Sequence, residues 1–126
     1  MLRESEARFR LVVENSPLAI AILDGDQGEY LNPKFVETFG YTLEDMPQVE
    51  DWFRLAYPDP NYRRKTIVNW EKALEQAGRE GRPTEVFEVE VTCKDGSKKI
   101  IDILGTLVGN KTLGVFHDVT ERKRAG

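Results

Sequence analysis

One thiol and one imidazole stand in the 126 residues, Cys93 and His117. A nucleophile of either kind needs a general base within hydrogen-bond reach, and the two lie far apart in the chain. No HxxxH and no paired-cysteine spacing is present, so the pattern of a metal site is missing. Carboxylates are plentiful, but Glu88 and Glu90 alternate with Phe87, Val89 and Val91, as the solvated face of a strand does. Glu71 and Glu75 share the polar side of a helical stretch with Arg63 and Arg64. A lone cysteine at a strand end is most simply a small core hydrophobe. The chain therefore offers no catalytic residue and no metal ligand, and it reads as non-enzymatic.

A different chemistry is written near the C-terminus. Leu113, Val115 and Val119 fall on one side of an extended chain and Phe116 on the other. Then Thr120 supplies a helix N-cap, Glu121 an acidic first turn, and Arg122, Lys123 and Arg124 strong helix formers. A threonine cap is worth about 1 kcal/mol, weak enough for a signal to break and strong enough to shift a population several-fold. Asp118, Thr120, Glu121 and Arg122 are thus candidates for signal coupling, with plain structural capping as the alternative. A single helical turn is not stable alone. With Gly126 six residues past Thr120, the expectation is a strand handing over to the connecting helix of a longer protein, against a frayed terminus.

Composition bounds the setting. The length suits one domain with a core of its own, and 32% charged residues suit a well-solvated surface. A net charge of −4 argues against nucleic acid, which calls for a basic stripe. One cysteine suits the reducing cytoplasm. The longest apolar run, residues 18–23, is far short of a membrane span, and the mixed charges of residues 2–10 exclude a secretion signal.

The elements that must hold these residues follow from local pattern. Residues 5–14 form an amphipathic helix with Phe9, Val12 and Val13 on one face, closed by Asn15-Ser16-Pro17. It either packs on the domain or pairs with a second copy. Residues 18–23 and 29–31 form two short strands joined by a glycine-rich turn. Asn32-Pro33 starts a helix bearing Phe35, Val36 and Phe39, and Gly40 ends it. Thr42 to Asp45 make a weak capping box for one more turn, and residues 49–57 a short helix pressed on the core. Asp59-Pro60 starts a longer helix running to about Ala77, with Ile67, Trp70, Leu74 and Ala77 on one face. Residues 85–93 alternate cleanly, Asp95-Gly96 marks a hairpin, residues 98–108 return as a central strand, and Gly109-Asn110 turns into the last. Strands, then helices, then a three-stranded meander describe an α+β domain with its helices on one sheet face.

In that order the local motifs resemble the PAS domain over nearly the whole chain. The matching pieces are Glu14-Asn15-Ser16-Pro17, Tyr30-Leu31-Asn32-Pro33 with Phe35, Phe39-Gly40-Tyr41, Lys94-Asp95-Gly96-Ser97, and Asp118-Val119-Thr120-Glu121-Arg122-Lys123. The resemblance implies a five-stranded antiparallel sheet in order 2-1-5-4-3 with helices on one face. It divides the chain into an N-terminal flanking helix (1–16), a PAS sensory domain (17–120) and the start of a connector helix (121–126). It implies a cytoplasmic sensory module of a bacterial or archaeal two-component protein, most like a sensor histidine kinase, passing a ligand- or partner-induced change to a C-terminal output domain. A ligand-free homodimerising connector, or the PAS module of a diguanylate cyclase, is the alternative. A homodimer is expected in either case.

The resemblance also frames the cofactor question. Haem is disfavoured, because residues 61–77 hold no histidine and His117 should face away from the helices. Covalent flavin is disfavoured, because the cysteine-bearing helix motif of the light sensors is absent and Phe116 replaces their glutamine. Cys93 and His117 fall on strands with another between them, about 10 Å apart at ordinary strand spacing. The candidate pocket is Ile20, Ile22, Asn32, Phe35, Phe39, Tyr41, Leu43, Phe53, Ile67, Trp70, Phe87 and Phe116. It suits a small apolar ligand, or a non-covalent flavin between Trp52 and Trp70; a filled core is the competing reading.

Overall fold

Caps set the helix boundaries. In the computed structural model, which describes the backbone of residues 2–125 and the side chains of residues 7–125, Asn32 opens α2 (Pro33–Phe39) by accepting from the Phe35 N–H at 3.0 Å. Gly40 closes it at φ 83°, a left-handed conformation that a β-carbon disfavours. The same device, Asp59 before Pro60, opens α4 (Pro60–Glu80). That helix runs three residues past the expected end at Ala77, because Gly81 and not Gly78 supplies its left-handed closing residue. Between them lies α3 (Val49–Ala56), where the Asp51 carboxylate accepts from the Gln48 N–H at 3.0 Å. The first helix, α1 (Leu2–Glu14), begins three residues ahead of the expected Ser5. Met1 and Gly126, the outer ends of the two flanking segments, lie outside the described residues.

The strands are β1 (Ala19–Asp24), β2 (Gln27–Leu31), β3 (Phe87–Thr92), β4 (Lys98–Val108) and β5 (Lys111–Asp118), followed by α5 (Thr120–Ala125). They form one antiparallel sheet in the order β2-β1-β5-β4-β3, as expected. Among the described residues no helix is long and apolar enough to cross a membrane.

Register decides which face each residue serves. Opposed residues in an antiparallel pair share a face, and β1 pairs β5 as Ala19 with Phe116, Ala21 with Gly114 and Leu23 with Thr112. Phe116 packs into the helical layer. Ala19, Ala21 and Leu23 therefore face the helices, and Ile20 and Ile22, opposite Val115 and Leu113, face outward. The expectation that Ile20 lines the pocket is thus corrected. Residues 18–23 are apolar throughout, so no alternation marked the inward side, and the smaller alanines take it.

The core is built on an aromatic quartet. Phe35, Phe39, Trp52 and Phe116 contact one another in all six pairs, with ring centroids 4.8–5.7 Å apart and mostly edge to face. Trp70 lies against the inner face at Gly105, where a β-carbon would stand 2.5 Å from the indole Cη2. On β4, Ile101 and Ile103 are buried beneath the helices, while Leu107 is exposed. Val108, on the outer face, is exposed too, and Ile100 and Leu104 are half-buried there.

Both sheet edges are engaged. Along β2 the Gly28 N–H donates to Pro47 O, and at the turn just before it the Val49 N–H donates to Asp26 O, each at 2.8 Å. Along β3 the Tyr62 hydroxyl accepts from the Glu90 N–H at 2.8 Å, and the Tyr41 hydroxyl donates to Thr92 O at 2.7 Å.

Candidate functional site: an apolar cavity beside the exit strand

Between the helices and the inner sheet face lies a cavity of about 60 Å³. Pockets that enclose a drug-sized ligand run to several hundred. Seven of the twelve expected residues line it: Ile22, Phe35, Leu43, Phe53, Trp70, Phe87 and Phe116. Ile22 does so where the β1–β2 register shifts, between Ile22 and Leu23.

The other five are placed elsewhere. Ile20 is on the outer face. Phe39 is in the aromatic quartet behind the wall. Tyr41 reaches the edge of β3 instead. Ile67 is out of phase: Thr66, one residue earlier, lines the cavity with Trp70 one turn on. Asn32 is fully buried and turned to backbone.

Trp52, expected to flank a flavin ring, lines the cavity as well, and residues that the pattern did not assign complete the lining, among them Ala21, Met46, Gln48, Thr66, Thr112 and Gly114. Gln48, Tyr57, Thr66 and Thr112 carry uncharged polar groups, and among the described residues no charged side chain lines the cavity. Burial pushes the Tyr57 phenol far above its ordinary range, so it stays protonated. Such a space accepts a neutral guest and rejects an ion.

Asn32 has all four of its amide hydrogen-bonding positions engaged. Its Oδ1 accepts from Ile20 N–H at 2.9 Å and Phe35 N–H at 3.0 Å. Its Nδ2 donates to Val13 O at 2.8 Å and Leu18 O at 3.0 Å. One side chain thus joins α1, the start of β1 and the cap of α2.

Phe116 faces two ways. It walls the cavity, and it also borders a surface groove with Pro17, Leu18, Ala19, Asp118 and Val119. Two residues on, the chain leaves the sheet through a compact clamp. The Thr120 Oγ1 accepts from Ile100 N–H at 2.9 Å and donates to Asp118 Oδ1 at 2.5 Å. The same carboxylate oxygen accepts from Thr120 N–H at 3.0 Å. The first helical bond of α5 runs from Lys123 N–H to Val119 O.

The cap of α5 is therefore the Asp118 carboxylate, and the expectation that Thr120 caps it is corrected. The Thr120 hydroxyl turns sideways to β4 because Ile100 N–H needs an acceptor there. Val119 N–H adds a bond to Ile100 O at 2.9 Å. Arg122 pairs with Asp102 at 3.3 Å and Lys123 with Glu88 at 3.0 Å, and Glu121 is exposed.

Burial alone would raise the Asp118 carboxyl. Hydrogen bonds from Thr120, with Lys99 and His117 nearby, outweigh it and hold the group below the usual carboxylate range. Cys93 is buried, and burial pushes its thiol up. His117 is exposed on the outer face, opposite Asp102. Among the described residues no group of three or more His, Cys, Asp or Glu is placed to hold a metal ion.

Comparison with known proteins fits this architecture. The family profile described as PAS domain matches residues 7–76, more than half of the chain. The chain belongs to the PAS family. It is 29% identical over 133 aligned positions to the sensor histidine kinase TmoS of Ectopseudomonas mendocina. It is 28% identical over 130 to the methyl sulfide methyltransferase-associated sensor of Methanosarcina acetivorans. Each alignment covers 98% of this chain but only 13% and 12% of the relatives. A domain of the sensory box sensor histidine kinase/response regulator from Geobacter sulfurreducens superposes with a TM-score of 0.68. It is 21% identical, with 94% of this chain and 97% of that one covered. In PAS terms, the cavity lies between the helices and the inner sheet face, and the clamp sits where β5 leaves the domain.

Proposed function

We propose that this PAS domain is the sensory-regulatory module of a signal-transduction protein, a cytoplasmic sensor histidine kinase. It passes a change at its cavity to a C-terminal output domain through β5 and the Asp118–Thr120 clamp. The observation that carries this reading is the double position of Phe116, a cavity wall two residues ahead of the clamp. The module itself performs no chemistry, since its one thiol is buried and its one imidazole stands two strands away.

The ligand is small, neutral and mainly apolar. A cavity of about 60 Å³ leaves an isoalloxazine ring no room, so a non-covalent flavin is the less favoured guest. The test is a titration of the purified chain with xenon and with 1-butanol. Trp52 and Trp70, both at the cavity, report binding by fluorescence, and amide exchange at residues 119–123 reports the clamp. Saturable binding that changes exchange at the clamp is expected. Absence of saturable binding, or binding without any change at residues 119–123, refutes the sensory reading.

A second reading has its own observation. Phe9, Leu11 and Val12 of α1 are 48–70% exposed, a surface suited to homodimerisation as a connector. A concentration-independent monomer in light scattering would exclude it.

A further inference from the structure

We infer that α1 is a second input to the same clamp, read through Asn32 and independent of any occupant of the cavity. The inference goes beyond ligand sensing, because it holds with the cavity empty. Asn32 is fully buried, and its two Nδ2 bonds reach Val13 O at the end of α1 and Leu18 O ahead of β1. Its Oδ1 fixes Ile20 N–H in β1 and Phe35 N–H in α2. A shift of the last turn of α1 therefore pulls on one amide that also sets the position of a strand and of a helix.

Both lead to Phe116. Ala19, beside Ile20, is the β-partner of Phe116. The Phe35 ring meets the Phe116 ring edge-on at 5.3 Å. Asn32 thus governs the strand partner and a ring partner of the residue that precedes the clamp. The groove that runs from Pro17 to Arg122 sets the incoming and outgoing chains side by side. Val13 anchors the helix end: it is 3% exposed, whereas its neighbour Val12 is 70% exposed. The input is a displacement of the helix, of the kind imposed by whatever binds or precedes α1.

Asn32→Asp separates the two halves of the amide. It keeps an acceptor for Ile20 and Phe35 and turns the donor toward Val13 and Leu18 into a second acceptor. In the free chain, amide exchange at residues 11–15 should quicken about tenfold or more, as expected for buried hydrogen bonds lost locally. Exchange at Val119 and Lys123 should quicken at least about threefold with β3 and β4 unchanged, a partial transfer of that local opening. Loosening of α1 with residues 119–123 unchanged overturns the relay, and unchanged exchange in α1 overturns the anchor. If Asn32→Asp loosens the whole sheet, Val13→Ala loosens the helix end by removing its buried side chain with the amide and its bonds intact, and is read by the same two criteria. Xenon binding is measured in parallel and is expected to persist, so failure here is distinct from failure of the ligand reading.

Discussion

Replacing Thr120 with valine tests the clamp most directly. The substitution keeps shape and β-branching and removes a hydroxyl that makes two bonds, accepting from Ile100 N–H at 2.9 Å and donating to Asp118 Oδ1 at 2.5 Å. An amide left without a partner costs about 1–3 kcal/mol when buried. Thr120 is 9% exposed and Ile100 half-buried, so the lower half of that range applies. The bond to the carboxylate is charge-assisted but partly solvated and adds up to about 1 kcal/mol. The sum is about 2 kcal/mol, close to a thirtyfold change in an equilibrium constant. Urea unfolding should show the loss, with exchange at Val119 and Lys123 quickened by a similar factor. Thr120→Ser, which keeps the hydroxyl, should recover most of it. A valine variant within about 0.5 kcal/mol of the parent, inside the usual effect of a neutral surface change, would refute the claim that these bonds hold the exit.

Two further outcomes are expected. The folded-state Asp118 carboxyl is depressed, so its stabilisation is complete above the ordinary aspartate value, about 3.9, and is lost as pH falls through the folded value. Exchange at residues 119–123 should therefore quicken below about pH 4, and Asp118→Asn should flatten that response. Gly105→Ala should displace Trp70, whose Cη2 would lie 2.5 Å from the new methyl. A loss of about 1–3 kcal/mol from overpacking is expected, with red-shifted tryptophan emission, measured by thermal unfolding and fluorescence.

Most of the frame was legible because it is set locally. Asn32-Pro33, Asp59-Pro60, Gly40 and Asp95-Gly96 each act within a few residues, and the clean alternation of β3 fixed its faces. The resemblance to PAS domains then supplied a strand order that no local signal contains. The site was less legible, since its lining depends on phase and register. An unbroken apolar run hid the inward turn of Ala19 and Ala21. The phase of α4 puts Thr66, four residues before Trp70, on the lining face and leaves the larger Ile67 off it. Asn32 looked like a cap and is one, but its bond to Val13 spans 19 residues, a distance at which spacing says nothing. At Thr120 the sequence named the right residue with the wrong partner, since the nearest orphan donor sits on a neighbouring strand.

The two tyrosine hydroxyls on β3 have a further consequence. A sheet margin ordinarily invites a foreign strand through its bare amides and carbonyls. Here a newcomer must first evict Tyr62 from Glu90 and Tyr41 from Thr92, while the opposite margin is already stitched to residues 47–49. Association is thereby steered away from backbone zippering and toward side chains on the broad face and the flanking helices. Contacts of that kind change with single substitutions, so the scaffold can exchange companions over evolutionary time without rewriting its own hydrogen-bonded frame.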